Sequence, residues 1–189
     1  MTTESIKVIS LLIFFAFNLI IIGCETQEQR DRKREEKRTQ KFISQLNNRN
    51  QNIKTRVNAA RALGRINTPE AQRALAGAIP TLIEALNNAD TSTRAFAASA
   101  LGNIGESAKK AIPNLANNLR NDRSDLVRGS AAYALGQMKE SAQGAIPDLI
   151  KALNDENELV RQSTAKALGQ INSPQATEAL KRYKTNTKN

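Results

Sequence analysis

The chain contains no histidine and no tryptophan, and Cys24 is its single cysteine. Histidine is the side chain used most often for proton transfer near neutral pH and for binding metal ions. A lone cysteine excludes both an intrachain disulfide and a cysteine metal cluster. The sequence also lacks a GxSxG motif and a phosphate-binding glycine loop. These absences argue against an enzyme; no cofactor or metal is predicted, and no small-molecule substrate is evident.

Aromatic residues are scarce as well, at 4% of the sequence. The core must therefore be built from alanine, leucine and isoleucine, which suits stacked helices and argues against one large globular core. Charge is unbalanced, because the formal net charge is +10 and residues 42–189 carry most of the basic excess. This excess favours an anionic partner such as nucleic acid or an anionic membrane, or it is simply a basic solvated surface.

One pattern of residues occurs four times along the chain. The copies are RVNAARALGRI at 56–66, RAFAASALGNI at 94–104, RGSAAYALGQM at 128–138 and RQSTAKALGQI at 161–171. Self-similarity with a period of about 20–50 residues indicates a solenoid built from stacked repeats. Within each copy the apolar residues recur with the i, i+3, i+4, i+7 spacing of a helix.

A second motif, Ala-Ile-Pro, lies between the copies, and its prolines are Pro80, Pro113 and Pro147. Each is followed by apolar residues at helical spacing. Every period therefore contains two helices, and the sequence predicts an all-α solenoid of about four helix pairs.

Three features of the repeat have structural interpretations. The glycine that follows each Ala-Leu pair predicts a close helix contact or a helix C-cap. Asp90, Asp122 and Asp155 lie in the short loops between paired helices and suit turns or helix N-caps. The arginine that opens each second helix is expected to bond a loop carbonyl or carboxylate rather than a partner.

The order AIPxLxxxL, polar turn, arginine, AxALGxI resembles the HEAT-like repeats of the phycobilisome-lyase type, over roughly residues 42–183. The resemblance implies a HEAT/armadillo-like superhelix whose second helices line the concave surface. Such repeats serve as lyase subunits, scaffolds and adaptors, so the resemblance leaves the function open.

The N-terminal segment predicts export. Residues 8–22 are apolar apart from Ser10 and Asn18. This segment is shorter than the roughly 20 residues that span a bilayer, and its length fits a signal peptide. Ile21, Ile22, Gly23 and Cys24 resemble a bacterial lipobox. That resemblance implies acylation of Cys24, cleavage before it, and a repeat domain anchored by lipid outside the cytoplasm of a bacterium.

The charged stretch that follows supports a different topology. Seven basic residues at 30–41 would keep this flank in the cytoplasm if the apolar segment were an uncleaved anchor. The lipobox is the more specific signal, so the uncleaved anchor stays the alternative. The predicted division is a signal peptide at 1–23, a charged tether at 24–41 that is helical in its second half, a repeat domain at 42–184 and a frayed tail at 185–189. The tether has no interleaved aromatic residues, which makes nucleic acid an unlikely partner.

In each second helix, residues spaced by four differ between the copies, whereas the alanines, leucines and glycines repeat. These variable positions form one stripe along each helix. Residues spaced by four lie on one side of a helix, so the stripes together predict a partner-binding groove, basic at both ends and polar around its middle. Its predicted residues are Arg61, Arg65, Ser99, Asn103, Tyr133, Gln137, Lys166 and Gln170. The alternative is an ordinary solvated face.

Two functions follow from these observations. The first is a lipid-anchored, non-catalytic scaffold that binds a protein or peptide in the groove. The second is a phycobilin-lyase-like accessory subunit, or another cytoplasmic adaptor, held at the membrane by an uncleaved N-terminal anchor.

Overall fold

The computed structural model describes residues 26–66 and 68–186, and these residues form helices and connecting turns. The chain divides into two compact units, Met1–Gln40 and Lys41–Asn189. The predicted signal peptide, Cys24 and residues 187–189 lie outside the described part of the chain. Among the described residues, no helix is both long enough and apolar enough to cross a lipid bilayer.

Ten α-helices make up most of the described chain. Their bounds are α1 Gln27–Asn47, α2 Ile53–Leu63, α3 Pro69–Gly77, α4 Ile79–Ala85, α5 Thr91–Ile104, α6 Ile112–Asn121, α7 Asp125–Gln137, α8 Ile146–Ala152, α9 Glu158–Ile171 and α10 Pro174–Asn186. Two 3₁₀ segments, Gly105–Ala111 and Lys139–Ala145, precede α6 and α8. The all-α class predicted from the sequence is confirmed for these residues.

Helix α1 covers more of the charged stretch than the sequence analysis predicted. It begins at Gln27, where the Thr26 hydroxyl accepts a hydrogen bond from the Gln29 backbone N–H. Pairs one turn apart, such as Glu28 with Arg32, support its exposed surface. Glutamate, lysine, arginine and glutamine are good helix formers, so the mixed charge that suggested a tether favours a helix throughout.

The repeated motifs form the predicted helix pairs α4–α5, α6–α7 and α8–α9. Pro80, Pro113 and Pro147 lie in the first turns of α4, α6 and α8, where a missing backbone N–H costs nothing. Asp90 caps α5, since its carboxylate accepts the Thr93 backbone N–H at 3.0 Å. The structure thus confirms the predicted helix pairs and the capping role of Asp90. Asp122 and Asp155 are turn residues instead, since each accepts a backbone N–H two residues further along its loop.

Neighbouring second helices pack side by side in the order α2, α5, α7, α9. Two of the repeated glycines allow this close approach. A Cβ atom added at Gly102 would lie 2.9 Å from the Ala134 Cα, and one at Gly136 would lie 2.7 Å from the Ala167 Cα. Gly64 follows the last residue of α2 as its C-cap, and a Cβ atom there would also lie 2.7 Å from the side-chain nitrogen of Asn103. Both interpretations of the glycines therefore occur, and both apply at Gly64.

The core of the second unit is a continuous layer of alanine and leucine between the first and second helices. Its largest fully buried side chains are eleven leucines and Met138. Phe42 and Phe96 are only half-buried and pack against its edge. The composition thus forecast the core correctly, because small alanines let the helices approach closely enough to bury the leucines.

Successive repeats are joined by two arginine–aspartate pairs, here called clasps. Arg94 donates from Nε and Nη2 to the two carboxylate oxygens of Asp122, at 2.7 and 2.9 Å. Arg128 makes the same two bonds to Asp155. Each arginine also donates from Nη1 to a carbonyl of the loop before its own helix. The expected structural role of these arginines is confirmed.

Candidate functional site

The predicted groove residues lie along the row of second helices, except Arg65, which lies in the turn after α2. Several of them meet. The Tyr133 hydroxyl donates to the Asn103 side-chain oxygen at 3.1 Å, which links α7 to the end of α5. The ring of Tyr133 rests on Gly102, and the Gln170 side chain lies over Gly136. The repeated glycines thus hold the variable residues of the next helix close to the preceding one.

The basic ends of the predicted stripe are different from each other. The Arg61 guanidinium lies 4.0 Å from the centroid of the Phe96 ring, so this cation already has an aromatic partner. Arg65 and Lys166 are exposed to solvent at the two ends of the stripe. None of Arg61, Arg65 and Lys166 lines the cleft that contains Tyr133.

A cleft of about 410 Å³ opens across the middle of the row. Of the eight predicted residues it contains Ser99 and Tyr133. Its walls come from three successive second helices, which contribute Ser99 from α5, Leu126, Gly129 and Tyr133 from α7, and Leu159 and Ser163 from α9. Gly129 and the two serines are small, and their size leaves the space that forms the cleft.

Leu126 and Leu159 are functional candidates that the sequence analysis missed. They are 54% and 70% exposed, and they are the exposed large apolar side chains of the described chain. Each precedes a buried valine and a repeat arginine, at a position that Lys54 and Ser92 occupy in the earlier copies. The sequence could have revealed them, because this one position of the repeat changes from a polar residue in the earlier copies to leucine in the later ones.

Polar groups line one side of the cleft. Asp125 accepts hydrogen bonds from the Leu126 backbone N–H and from the Asn157 side chain. Asn157 caps α9 by accepting the Leu159 backbone N–H at 2.9 Å. Across the described residues, no basic side chain lies within ion-pair distance of Asp125, although its charge interacts with that of Arg128 at longer range. The site therefore combines two apolar side chains, an aromatic ring and one carboxylate.

The side chains that line the cleft can bind a ligand. Within the described residues they do not include a nucleophile paired with a general base. No three acidic, histidine or cysteine side chains there come together as a metal site. An open cleft with apolar walls and a few polar groups suits an apolar side chain carried on a peptide. The carboxylate of Asp125 would accept a hydrogen bond from a backbone N–H or a basic side chain beside it.

A family model for HEAT repeats matches residues 39–136 and 112–188 of the chain. The two matches together extend over most of the sequence and include every helix from α2 to α10. No protein of curated function gives a significant match.

Several solved structures share the fold. An engineered protein has 24% identity and a TM-score of 0.59, over 77% of this chain and 68% of that one. A designed armadillo repeat protein in complex with the peptide (KR)4 has 23% identity and a TM-score of 0.57, over 76% and 69%. The complex of CpcE and CpcF of phycocyanin lyase from Nostoc sp. PCC7120 has 19% identity and a TM-score of 0.54, over 69% and 86%. These similarities, together with the family model, confirm the predicted α-solenoid.

Proposed function

Because the chain belongs to the HEAT-repeat family, we propose that it is a lipid-anchored, non-catalytic scaffold that binds a protein or peptide partner. The observation that carries the proposal is the cleft around Tyr133, with Leu126 and Leu159 exposed beside it. Exposed apolar surface that is contiguous marks interaction sites, and here the two leucines line one open cleft together with an aromatic ring.

The chemistry of the cleft favours a peptide with an apolar anchor. Burial of apolar surface contributes about 25 cal/mol per Å², so an apolar side chain seated between the two leucines would supply much of the affinity. Tyr133 has its hydroxyl bonded to Asn103 and its ring supported by Gly102, which makes it a rigid wall. Aromatic residues held in this way often dominate binding energy.

Peptide binding by a structural neighbour agrees with this proposal. The designed armadillo repeat protein was solved with the peptide (KR)4, and it resembles this chain over 76% of its length. A basic residue beside the apolar anchor would meet the carboxylate of Asp125. We therefore expect the cleft to prefer peptides that combine an apolar and a basic side chain.

The test is a selection from a random peptide library on the full chain held in detergent. Peptides selected in this way should bind the double variant Leu126→Ser, Leu159→Ser about tenfold more weakly or worse, because the apolar walls are removed. The double variant Leu126→Met, Leu159→Met should retain binding, since methionine keeps the walls apolar.

Exposed positions make this test specific to binding. Both leucines lie outside the core, so neither pair of substitutions should change the circular dichroism spectrum or the unfolding midpoint. Equal affinity of selected peptides for the serine and methionine variants would contradict the assignment of the cleft.

The membrane anchor is a separate part of the proposal. Its support is the lipobox-like sequence that ends at Cys24, the one cysteine of the chain. Each buried CH₂ adds about 0.8 kcal/mol, so two or more acyl chains on this residue would hold the protein stably at a bilayer. The repeats would then lie outside the cytoplasm of a bacterium.

The intact mass of the protein recovered from bacterial membranes tests this anchor. A chain that starts at Cys24 and carries acyl mass is expected, and Cys24→Ala should abolish both processing and acylation. An unprocessed, unacylated chain would contradict lipid anchoring.

A second candidate is a phycobilin-lyase-like accessory subunit that an uncleaved anchor keeps in the cytoplasm. The fold similarity to the CpcE and CpcF complex favours it. The mass measurement separates the two candidates, because an unprocessed chain agrees only with the second. Catalysis itself would then be tested by mixing the chain with bilin and a phycobiliprotein acceptor.

A further inference from the structure

The two clasps recur at equivalent positions of successive repeats, and the next repeat has the arginine of a third clasp without the aspartate. Arg94 holds Asp122, which lies in the loop of the next repeat, and Arg128 holds Asp155 one repeat later. In each clasp both side chains are at least nine-tenths buried. The arginine Nε and Nη2 atoms face the next repeat, while Nη1 bonds the loop before its own helix.

Arg161 is the equivalent arginine of the next repeat, and it makes the bonds to the loop before its own helix but no bond to a carboxylate of the described residues. Its Nη1 donates to the carbonyl oxygens of Asp155 and Glu156 at 2.7 and 3.0 Å. Over residues 26–66 and 68–186, no carboxylate lies within ion-pair distance of its guanidinium. The earlier clasps have intervals of 28 and 27 residues, which point to residue 189 or 188 for the next acid. The sequence has asparagine and lysine there, outside the described residues.

We propose that the open edge of Arg161 is a docking site for an acidic turn of a partner protein, meaning an Asp or Glu that follows a helix end. Two members of the same series in this chain show what the site accepts: a carboxylate held by two parallel bonds from Nε and Nη2. The planar guanidinium fork matches a carboxylate in this way, and a lysine does not.

The surroundings of Arg161 provide room and charge for this occupant. A cleft of about 400 Å³ lies between α8, α9 and α10, with Ile150, Leu153, Ala179 and Tyr183 among its lining residues. Arg182 lines the same cleft and is paired with Glu178, while Lys181 and Lys184 are exposed on α10 nearby in sequence. Asp155 also lines the cleft, but its carboxylate is held by Arg128. A partner's acid would therefore meet the guanidinium of Arg161, while its neighbouring apolar residues cover the apolar lining.

The occupant is a partner rather than a second copy of this chain. Asp122 and Asp155 are both held within their own molecule. In the first loop the equivalent position is Asn88, whose carbonyl accepts from Arg94 as the carbonyl of Asp122 accepts from Arg128. A copy docking by its first loop would thus present an amide, and its net charge of +10 would oppose the approach.

The test follows the Nε–H signal of Arg161 by nitrogen-15 NMR, using the full chain in detergent micelles. The probe is a synthetic peptide of residues 146–160, which carries the turn of Asp155. We expect the signal to move and saturate, with affinity lower by about tenfold or more for a peptide with Asp155→Asn. The protein variant Arg161→Lys, followed through the backbone amide signal of residue 161 that it shares with the wild type, should show the same loss while keeping its charge and fold.

Two control variants isolate this site. Arg73→Gln removes an exposed charge on α3, away from this cleft, and should leave the affinity unchanged. Leu126→Ser with Leu159→Ser should also leave it unchanged, which distinguishes failure of this site from failure of the Tyr133 cleft.

Three results would overturn the proposal. The first is a folded protein whose Arg161 signal does not respond to the peptide, or responds equally to the Asp155→Asn peptide. The second is a response to acetate or inorganic phosphate that equals the response to the peptide, which would show only a general anion site. The third is a dimer of this chain that Arg161→Lys dissociates.

Discussion

At the residue scale, the two clasps show how one side chain can join repeats. Burial by itself would raise the pKa of Asp122, but the hydrogen bonds from Arg94 and from the Ser124 backbone lower it below the usual value. The Arg128 hydrogen bonds are the main reason that the pKa of Asp155 is lowered, and burial opposes them. Both carboxylates are therefore held in the ionised form.

The clasps predict a specific loss of stability in acid. Because the folded-state pKa of Asp155 lies below its unfolded value, the clasp stabilises the fold above the unfolded pKa of 3.8. That contribution is lost as the pH falls through the folded pKa. At pH 7, Asp155→Asn should lower the free energy of unfolding by about 3 kcal/mol, since the buried Arg128 would lose its two-bond partner and keep only the exposed carboxylate of Glu156, at 3.2 Å.

Urea denaturation at neutral pH and at pH values below the unfolded pKa measures this difference. The cost of Asp155→Asn should shrink as the wild-type carboxylate becomes protonated. Glu140→Gln, an exposed substitution, serves as a control that should cost little at either pH. A cost of Asp155→Asn that is the same at both pH values would show that its ionisation is not what joins the repeats.

Equivalent glycines predict opposite responses to the same substitution. Gly136→Ala places a Cβ 2.7 Å from the Ala167 backbone, so it should destabilise the protein by about 1–3 kcal/mol through overpacking. Gly169→Ala has only Leu180 nearby, at 3.9 Å, and should stabilise α9 by up to about 1 kcal/mol through helix propensity. Thermal unfolding of both variants checks the pair, and equal shifts would contradict the packing argument.

At the element scale, two turns carry non-glycine residues with positive φ. Lys139 has φ of 48° after α7, and Asn172 has φ of 50° after α9. A left-handed conformation costs most residues about 1–2 kcal/mol, whereas asparagine tolerates it better. Lys139→Gly should therefore raise the unfolding free energy by about 1 kcal/mol, and Asn172→Gly should change it less. Calorimetry of the two variants separates them, and the reverse order would be inconsistent with backbone strain.

The helices themselves were largely predictable, because apolar spacing and the two repeated motifs specify them locally. The 3₁₀ segments before α6 and α8 were not, because their tight turns depend on how Ala108 and Ala142 are buried by neighbouring repeats. The extent of α1 was underestimated, because the sequence analysis did not consider the oppositely charged side chains that lie one helical turn apart and stabilise a helix.

The cleft was predicted only in part. Ser99 and Tyr133 vary within a repeating frame, which made them visible in the sequence. Leu126 and Leu159 each stand beside a valine, and the sequence does not say which of the two apolar residues faces the core. That choice is made by the starting register of α7 and α9, which buries the valines and exposes the leucines.

At the scale of the whole repeat unit, stability should vary along the chain. Each second helix packs mainly against its immediate neighbours, so the inner helices have partners on both sides and the outer ones do not. Hydrogen exchange should therefore be slowest in α7 and faster in α2 and α10. Mass spectrometry of exchanged peptides measures this order, and uniform protection across α2 to α10 would indicate one cooperative unit instead.

The clasps also bear on how an array of this kind can grow. Each joint is made by an arginine in one repeat and an aspartate 27 or 28 residues further along the chain. A tandem duplication of residues 128–160 would copy Arg128 together with Asp155, so the inserted segment would bring a complete joint with it. Lengthening by gene duplication would thus need no second mutation to match the new surfaces.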